Sequence, residues 1–63
     1  MTQIKLIELQ IENTKQLLKE ISEKINATND TASKEALSNT HKDTLEKLIE
    51  LNDKLKKLKN SLP

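Results

Sequence analysis

The chain has no cysteine, no glycine and no aromatic residue, and its single proline is the last residue, Pro63. Each absence removes a class of structure or chemistry. Without cysteine there is no disulfide framework and no thiolate metal site. Without glycine there is no phosphate-cradling loop. Without aromatic rings there is nothing for a nucleic-acid base to stack on, and a core has to be built from aliphatic side chains. Arginine is missing too: all eleven basic residues are lysine, set against ten acids. That weighs against a dedicated nucleic-acid reader, which draws on the bidentate guanidinium fork. No run approaches the roughly eighteen apolar residues of a membrane span. The opening Met1-Thr2-Gln3-Ile4-Lys5 lacks the basic-then-apolar layout of a signal peptide. The expectation is a soluble, cytoplasmic chain with no membrane partner.

What is present is a seven-residue apolar beat that runs twice. It falls on Ile4, Ile7, Ile11, Thr14, Leu18, Ile21 and Ile25, and again on Leu37, His41, Thr44, Leu48, Leu51, Leu55, Leu58 and Leu62. The steps alternate three and four, the a/d pattern of packed helices. Between the two runs lies Asn26-Ala27-Thr28-Asn29-Asp30-Thr31, a polar stretch suited to reversing the chain. The sequence therefore predicts an all-α fold, an antiparallel two-helix hairpin. It occupies residues 1–63 as a single domain, with a helix over about 3–26, a turn over about 27–31 and a helix over about 32–60. Asp30 or Thr31 is the natural N-cap of the second helix. The stretch Ser38-Asn39-Thr40-His41-Lys42-Asp43-Thr44 has no apolar residue. With no glycine or proline to break it, a continuous helix is expected there, with a kink as the alternative.

Helix spacing also orders the charges. Glu20 with Lys24, Asp43 with Lys47, Glu50 with Lys54 and Asp53 with Lys57 are acid-before-base pairs at i,i+4, the better orientation. Antiparallel folding about residue 29 or 30 sets Ile11 opposite Leu48, Ile7 opposite Leu51 and Ile4 opposite Leu55. The polar seam residues Thr14, His41 and Thr44 then gather in one layer.

The apolar supply is eleven leucines and six isoleucines. That is little for an isolated hairpin with no staple, and self-association is the expected source of stability. Leu6 and Leu17 widen the apolar face of the first helix to about 160° on a helical wheel, more than a two-stranded seam needs. A face that wide touches more than one neighbour, which points to a homodimer closing into a four-helix bundle. The residues assigned to self-association are Ile4, Ile7, Ile11, Leu17, Leu18, Ile21, Leu45, Leu48, Ile49, Leu51 and Leu55.

Leu9 points away from that stripe, with Leu6 on the shoulder between. Leu6 and Leu9, joined by Ile49, make a candidate patch for another protein; the plainer alternative is that isolated exposed leucines are ordinary. Thr14, His41 and Thr44 either set the register and partner choice of the bundle or simply satisfy themselves. His41, the only histidine, could in addition sense pH. Lys54, Lys56, Lys57 and Lys59 suit the negative end of a helix dipole and are also the candidate phosphate contacts.

No set of residues encodes a reaction. No nucleophile sits near a base by spacing, no metal or cofactor site is apparent, and two packed helices are expected to leave no ligand-sized pocket. The RNA-binding plasmid hairpin Rop has a similar size and the same two-helix plan, but no RNA-contacting residue can be matched. Sporulation phosphatases that carry a Ser-Gln-Glu-Leu-Asp motif share with Lys42-Asp43-Thr44-Leu45-Glu46 only the leucine and an acid. The expected function is a small non-enzymatic regulator or adaptor that self-associates and binds a partner protein. The alternatives are a Rop-like nucleic-acid binder and a structural oligomerisation element. A lysine-, asparagine- and isoleucine-rich chain without arginine suits an AT-rich genome, such as that of a low-GC bacterium or its phage.

Overall fold

The computed structural model describes residues 2–61; the expectations for Leu62 and Pro63 lie outside them. Two helices make up the fold, α1 over Gln3–Ala27 and α2 over Thr31–Asn60, packed against each other along their length. Their principal extents are 52 × 17 × 12 Å. Since a helix with its side chains is about 10–12 Å across, the hairpin is two helices wide and one helix thick. Both of its broad faces are open.

Local chemistry starts each helix. Thr2 caps α1: its hydroxyl accepts from the backbone N–H of Lys5 at 3.2 Å. Asp30, not Thr31, caps α2, and its carboxylate accepts the Ser33 amide at 2.9 Å and the Ser33 hydroxyl at 2.8 Å. The Ser33 hydroxyl first and its amide second hold the Asp30 carboxyl below its ordinary 3.8. Helix α1 ends at Ala27, where the Thr28 hydroxyl donates to the Lys24 carbonyl at 2.6 Å. Thr28 and Asp30 are both extended, with φ of −97° and −83°. No described residue needs a positive φ. A chain without glycine can therefore make this turn unstrained, because a threonine hydroxyl replaces the usual left-handed cap.

Helix α2 runs without interruption through 38–44. Thr40 and Thr44 each turn a hydroxyl back onto the carbonyl four residues earlier, at 3.1 and 2.7 Å. The polar stretch thus satisfies itself within the helix. Of the four expected i,i+4 ion pairs, Asp53–Lys57 alone closes, at 3.2 Å. The others stay apart because long exposed side chains gain little by being held together in water.

The seam follows the seven-residue beat. Ile7, Ile11, Thr14 and Ile21 are buried, and Ile4, Leu18 and Ile25 half-buried. On α2 every beat position from Leu37 to Leu58 is half-buried and none is fully buried. The level of pairing differs from expectation at the open end. There Ile4 lines a depression with Leu58, and Glu8 reaches Lys59. Helix α1 is thus level with positions about three residues further along α2 than the Ile4–Leu55 match implies. Antiparallel helices interlock an a position of one with a d position of the other, which accounts for that offset.

Candidate interaction face on α1

The Glu8–Lys59 contact, at 3.9 Å, crosses between the helices and marks one broad face of the hairpin. At about 100° per residue, Leu6 and Leu17 lie roughly 160° and 180° round α1 from Glu8. They open onto the opposite broad face. On α2, Leu45 and Ile49 lie about 40° and 80° from Lys59, so they share its face. The hairpin therefore carries one apolar shoulder on each side. All of these residues are exposed: Leu6 48%, Leu9 48%, Leu17 46%, Leu45 42% and Ile49 60%. Ile49 does not join Leu6 and Leu9 in one patch, because the thickness of the hairpin separates them.

The two shoulders have different settings. Along α1 from Gln3 to Lys19 the charged residues are Lys5, Glu8, Glu12, Lys15 and Lys19, which all fall within about 80° of the wheel, on the Lys59 side. The other flank carries Gln3, Leu6, Leu9, Gln10, Asn13, Gln16 and Leu17, all uncharged and all exposed. In a chain that is 33% charged, a charge-free surface over four turns stands apart. It shares with an interface core the depletion of charge. Leu45 and Ile49 are instead bordered, at three and four residues' spacing, by Lys42, Glu46 and Asp53.

The residues assigned to self-association divide in the structure. Ile7, Ile11 and Ile21 are buried within the hairpin, and Ile4, Leu18, Leu48, Leu51 and Leu55 half-buried along its seam. Leu17, Leu45 and Ile49 remain outside it. The charge-free flank itself was legible in the sequence only by following where charges are missing; counting apolar residues misses Gln10 and Asn13.

The polar seam residues answer to their own helices. The Thr14 hydroxyl donates to the Gln10 carbonyl at 2.7 Å, and Thr44 does the same to Thr40. No buried polar side-chain atom is left without a partner among the described residues. Threonine in this seam is thus self-satisfied and does not bond across it. His41 is half-buried one turn before Thr44 on α2. With the offset at the open end, Thr14 is level with Leu48, so the expected single layer of Thr14, His41 and Thr44 does not form.

Lys57 and Lys59 are engaged with Asp53 and Glu8, and the four C-terminal lysines are spread around α2. No group of three potential metal-binding side chains is assembled among the described residues, and no helix there is long and apolar enough to cross a membrane. A depression of about 480 Å³ does exist at the open end, lined by Thr2, Gln3, Ile4, Lys5, Glu8, Leu58 and Ser61. The expectation of no ligand-sized concavity thus fails there. The described helices end at that point, and the described residues leave the space open on one side. No family model, curated protein or solved structure matches the chain.

Proposed function

We propose that this chain is a small non-enzymatic regulatory or adaptor protein of the cytoplasm, which self-associates and binds a partner protein through a helical face. The charge-free flank of α1, with Leu6, Leu9 and Leu17 exposed on it, carries this reading. Exposed leucines gain by being covered, and no ion has to be desolvated beside them, while the neighbouring amides can hydrogen-bond a partner across the contact. A plasmid- or phage-encoded regulator fits the composition and size.

The test is affinity capture from the source cell with the wild-type chain and with Leu9→Lys. Leu9 lies furthest from the seam, so its charge leaves the hairpin intact, and light scattering on the variant separates loss of a partner from loss of self-association. A protein retained by the first and lost by the second supports the reading. Identical captures on both, with intact helicity, sink it. RNA binding at low salt that disappears in Lys56→Glu with Lys57→Glu would favour a nucleic-acid binder instead.

A further inference from the structure

We infer that the charge-free flank of α1 is a two-fold interface for a second copy of this chain, with α1 lying antiparallel on α1 of that copy. This rests on the self-association half of the proposed function and names the surface and symmetry that half requires.

The first ground is the order of residues along the flank. Gln3, Leu6, Gln10, Asn13, Leu17 and Glu20 follow steps of three and four, so they form a second straight row beside the seam. The row reads amide, leucine, amide, amide, leucine, acid. From Leu6 to Leu17 it is the same in both directions, and at its ends the Gln3 amide faces the Glu20 carboxylate. A two-fold axis between residues 11 and 12 sets Leu6 against Leu17 of the second copy, and Gln10 against its Asn13. Self-complementarity of this kind is what an isologous contact needs.

The second ground is charge, and it comes from the other helix. The broad face that holds Leu6 and Leu17 is completed by the row Asp43, Lys47, Glu50 and Lys54 on α2, all exposed. Turned end for end about a point between residues 48 and 49, this row places Asp43 against Lys54 and Lys47 against Glu50. Every acid then meets a base. The two points differ in height by about two residues, or ~3 Å. One two-fold axis, slightly oblique to the helices, passes through both. The alternative two-fold, parallel to the helices, would lay Leu6 and Leu17 over the charged row and bury ions without partners, which is costly.

The third ground is area. A compact protein of 7.2 kDa exposes about 4,100 Å², whereas this chain exposes 5063 Å². The excess comes from the elongated shape, and one broad face, 52 Å long and 17 Å wide, is large enough to supply the ~800 Å² that each partner buries in a standard interface. The opposite broad face is the weaker candidate. It too sets two apolar residues, Leu45 and Ile49, beside a charged row, but Glu8 of that row is already paired with Lys59, and Leu45 and Ile49 are flanked on their own helix by Lys42, Glu46 and Asp53.

The chain has no cysteine, so single thiols report the contact. Gln10→Cys and Asn13→Cys variants are mixed and oxidised under native conditions, and the wild type is weighed by light scattering over a hundredfold dilution. The expected result is a wild-type dimer, and bridges between positions 10 and 13 at least tenfold in excess of 10–10 or 13–13 bridges. Leu6→Lys with Leu17→Lys should raise the dissociation constant at least tenfold. A wild type monomeric at about 1 mM overturns both the interface and the self-association half of the function, but leaves the partner test on Leu9 standing. A dimer that bridges Leu45→Cys to Ile49→Cys instead overturns the interface alone. Should a variant fail to fold, methyl contacts between Leu6 and Leu17 in the wild type decide. The two lie about 16 Å apart along one helix, so a contact between them must join two copies, and its absence in a dimer rejects the proposal.

Discussion

The two helices obey the same beat and yet are buried unequally. Helix α1 buries Ile7, Ile11, Thr14 and Ile21 fully, whereas α2 buries nothing to that degree. The seam residues differ in branching. Five of the seven on α1 are isoleucine, and five of the seven described on α2 are leucine. Isoleucine branches at Cβ and keeps its bulk against its own backbone. Leucine branches one carbon further out and holds its bulk away from its own backbone, in keeping with the half-burial of the α2 seam. Outside the seam the contrast runs the other way. Helix α2 is charged all round, and α1 confines its charges to one flank over four turns. One helix supplies the covered half of the core and also the surface that still lacks a cover.

The sharpest way to break this comparison is to truncate equivalent positions. Ile7→Ala should cost about 2–4 kcal/mol, since its side chain is 3% exposed. Leu51→Ala, half-buried on α2, should cost roughly half as much. Urea unfolding at one fixed protein concentration measures both, and equal losses would remove the inequality between the helices.

The outer surfaces are compared next. Leu17→Lys should weaken self-association about tenfold, or ~1.4 kcal/mol, and Ile49→Lys should leave it unchanged. Sedimentation equilibrium checks this; the reverse order would transfer the interface to the other broad face.

A smaller effect separates the two helix starts. Asp30 caps α2 with a carboxylate whose pKa is lowered by Ser33, whereas Thr2 caps α1 with a neutral hydroxyl. A depressed carboxyl pKa adds stability that is present above its unfolded value, near 3.8, and is lost as pH falls through the folded value. Thermal melts of the wild type should therefore lose stability below about pH 4. Asp30→Asn should keep a cap and flatten that part of the curve, while Asp30→Ala should lower the melting temperature by a few degrees at neutral pH. An unchanged acid limb in Asp30→Asn would show that other carboxylates govern it.

The smallest change is expected at Thr14→Val. The hydroxyl it removes bonds only its own helix at Gln10, so stability should change by less than about 1 kcal/mol, in the stabilising direction. A clear loss in the same urea assay would mean that the threonine acts across the seam after all.

Much of the hairpin was legible because periodicity is a local property. Every described beat position from Ile4 to Leu58 is withdrawn from solvent, and all the positions between them except the turn residue Thr28 are exposed. Other features depended on choices between near-equal local options. Asp30 and Thr31 are both competent caps, and the backbone path after Thr28 selects Asp30. Thr14 and Thr44 can bond across a seam or back along a helix, and the hydroxyl takes the carbonyl that is always within reach.

The sequence by itself determined the two helices, their reversal and the residues between them, since the beat and the turn chemistry are written along the chain. Only the tertiary structure decided which flanks share a broad face. Leu6 and Leu17 fall on one side and Leu45 and Ile49 on the other because the helices meet in an antiparallel sense, with Glu8 beside Lys59. That relation joins residues some fifty positions apart in the chain, and no local pattern encodes it; it arises when two helical surfaces of fixed hand are pressed together.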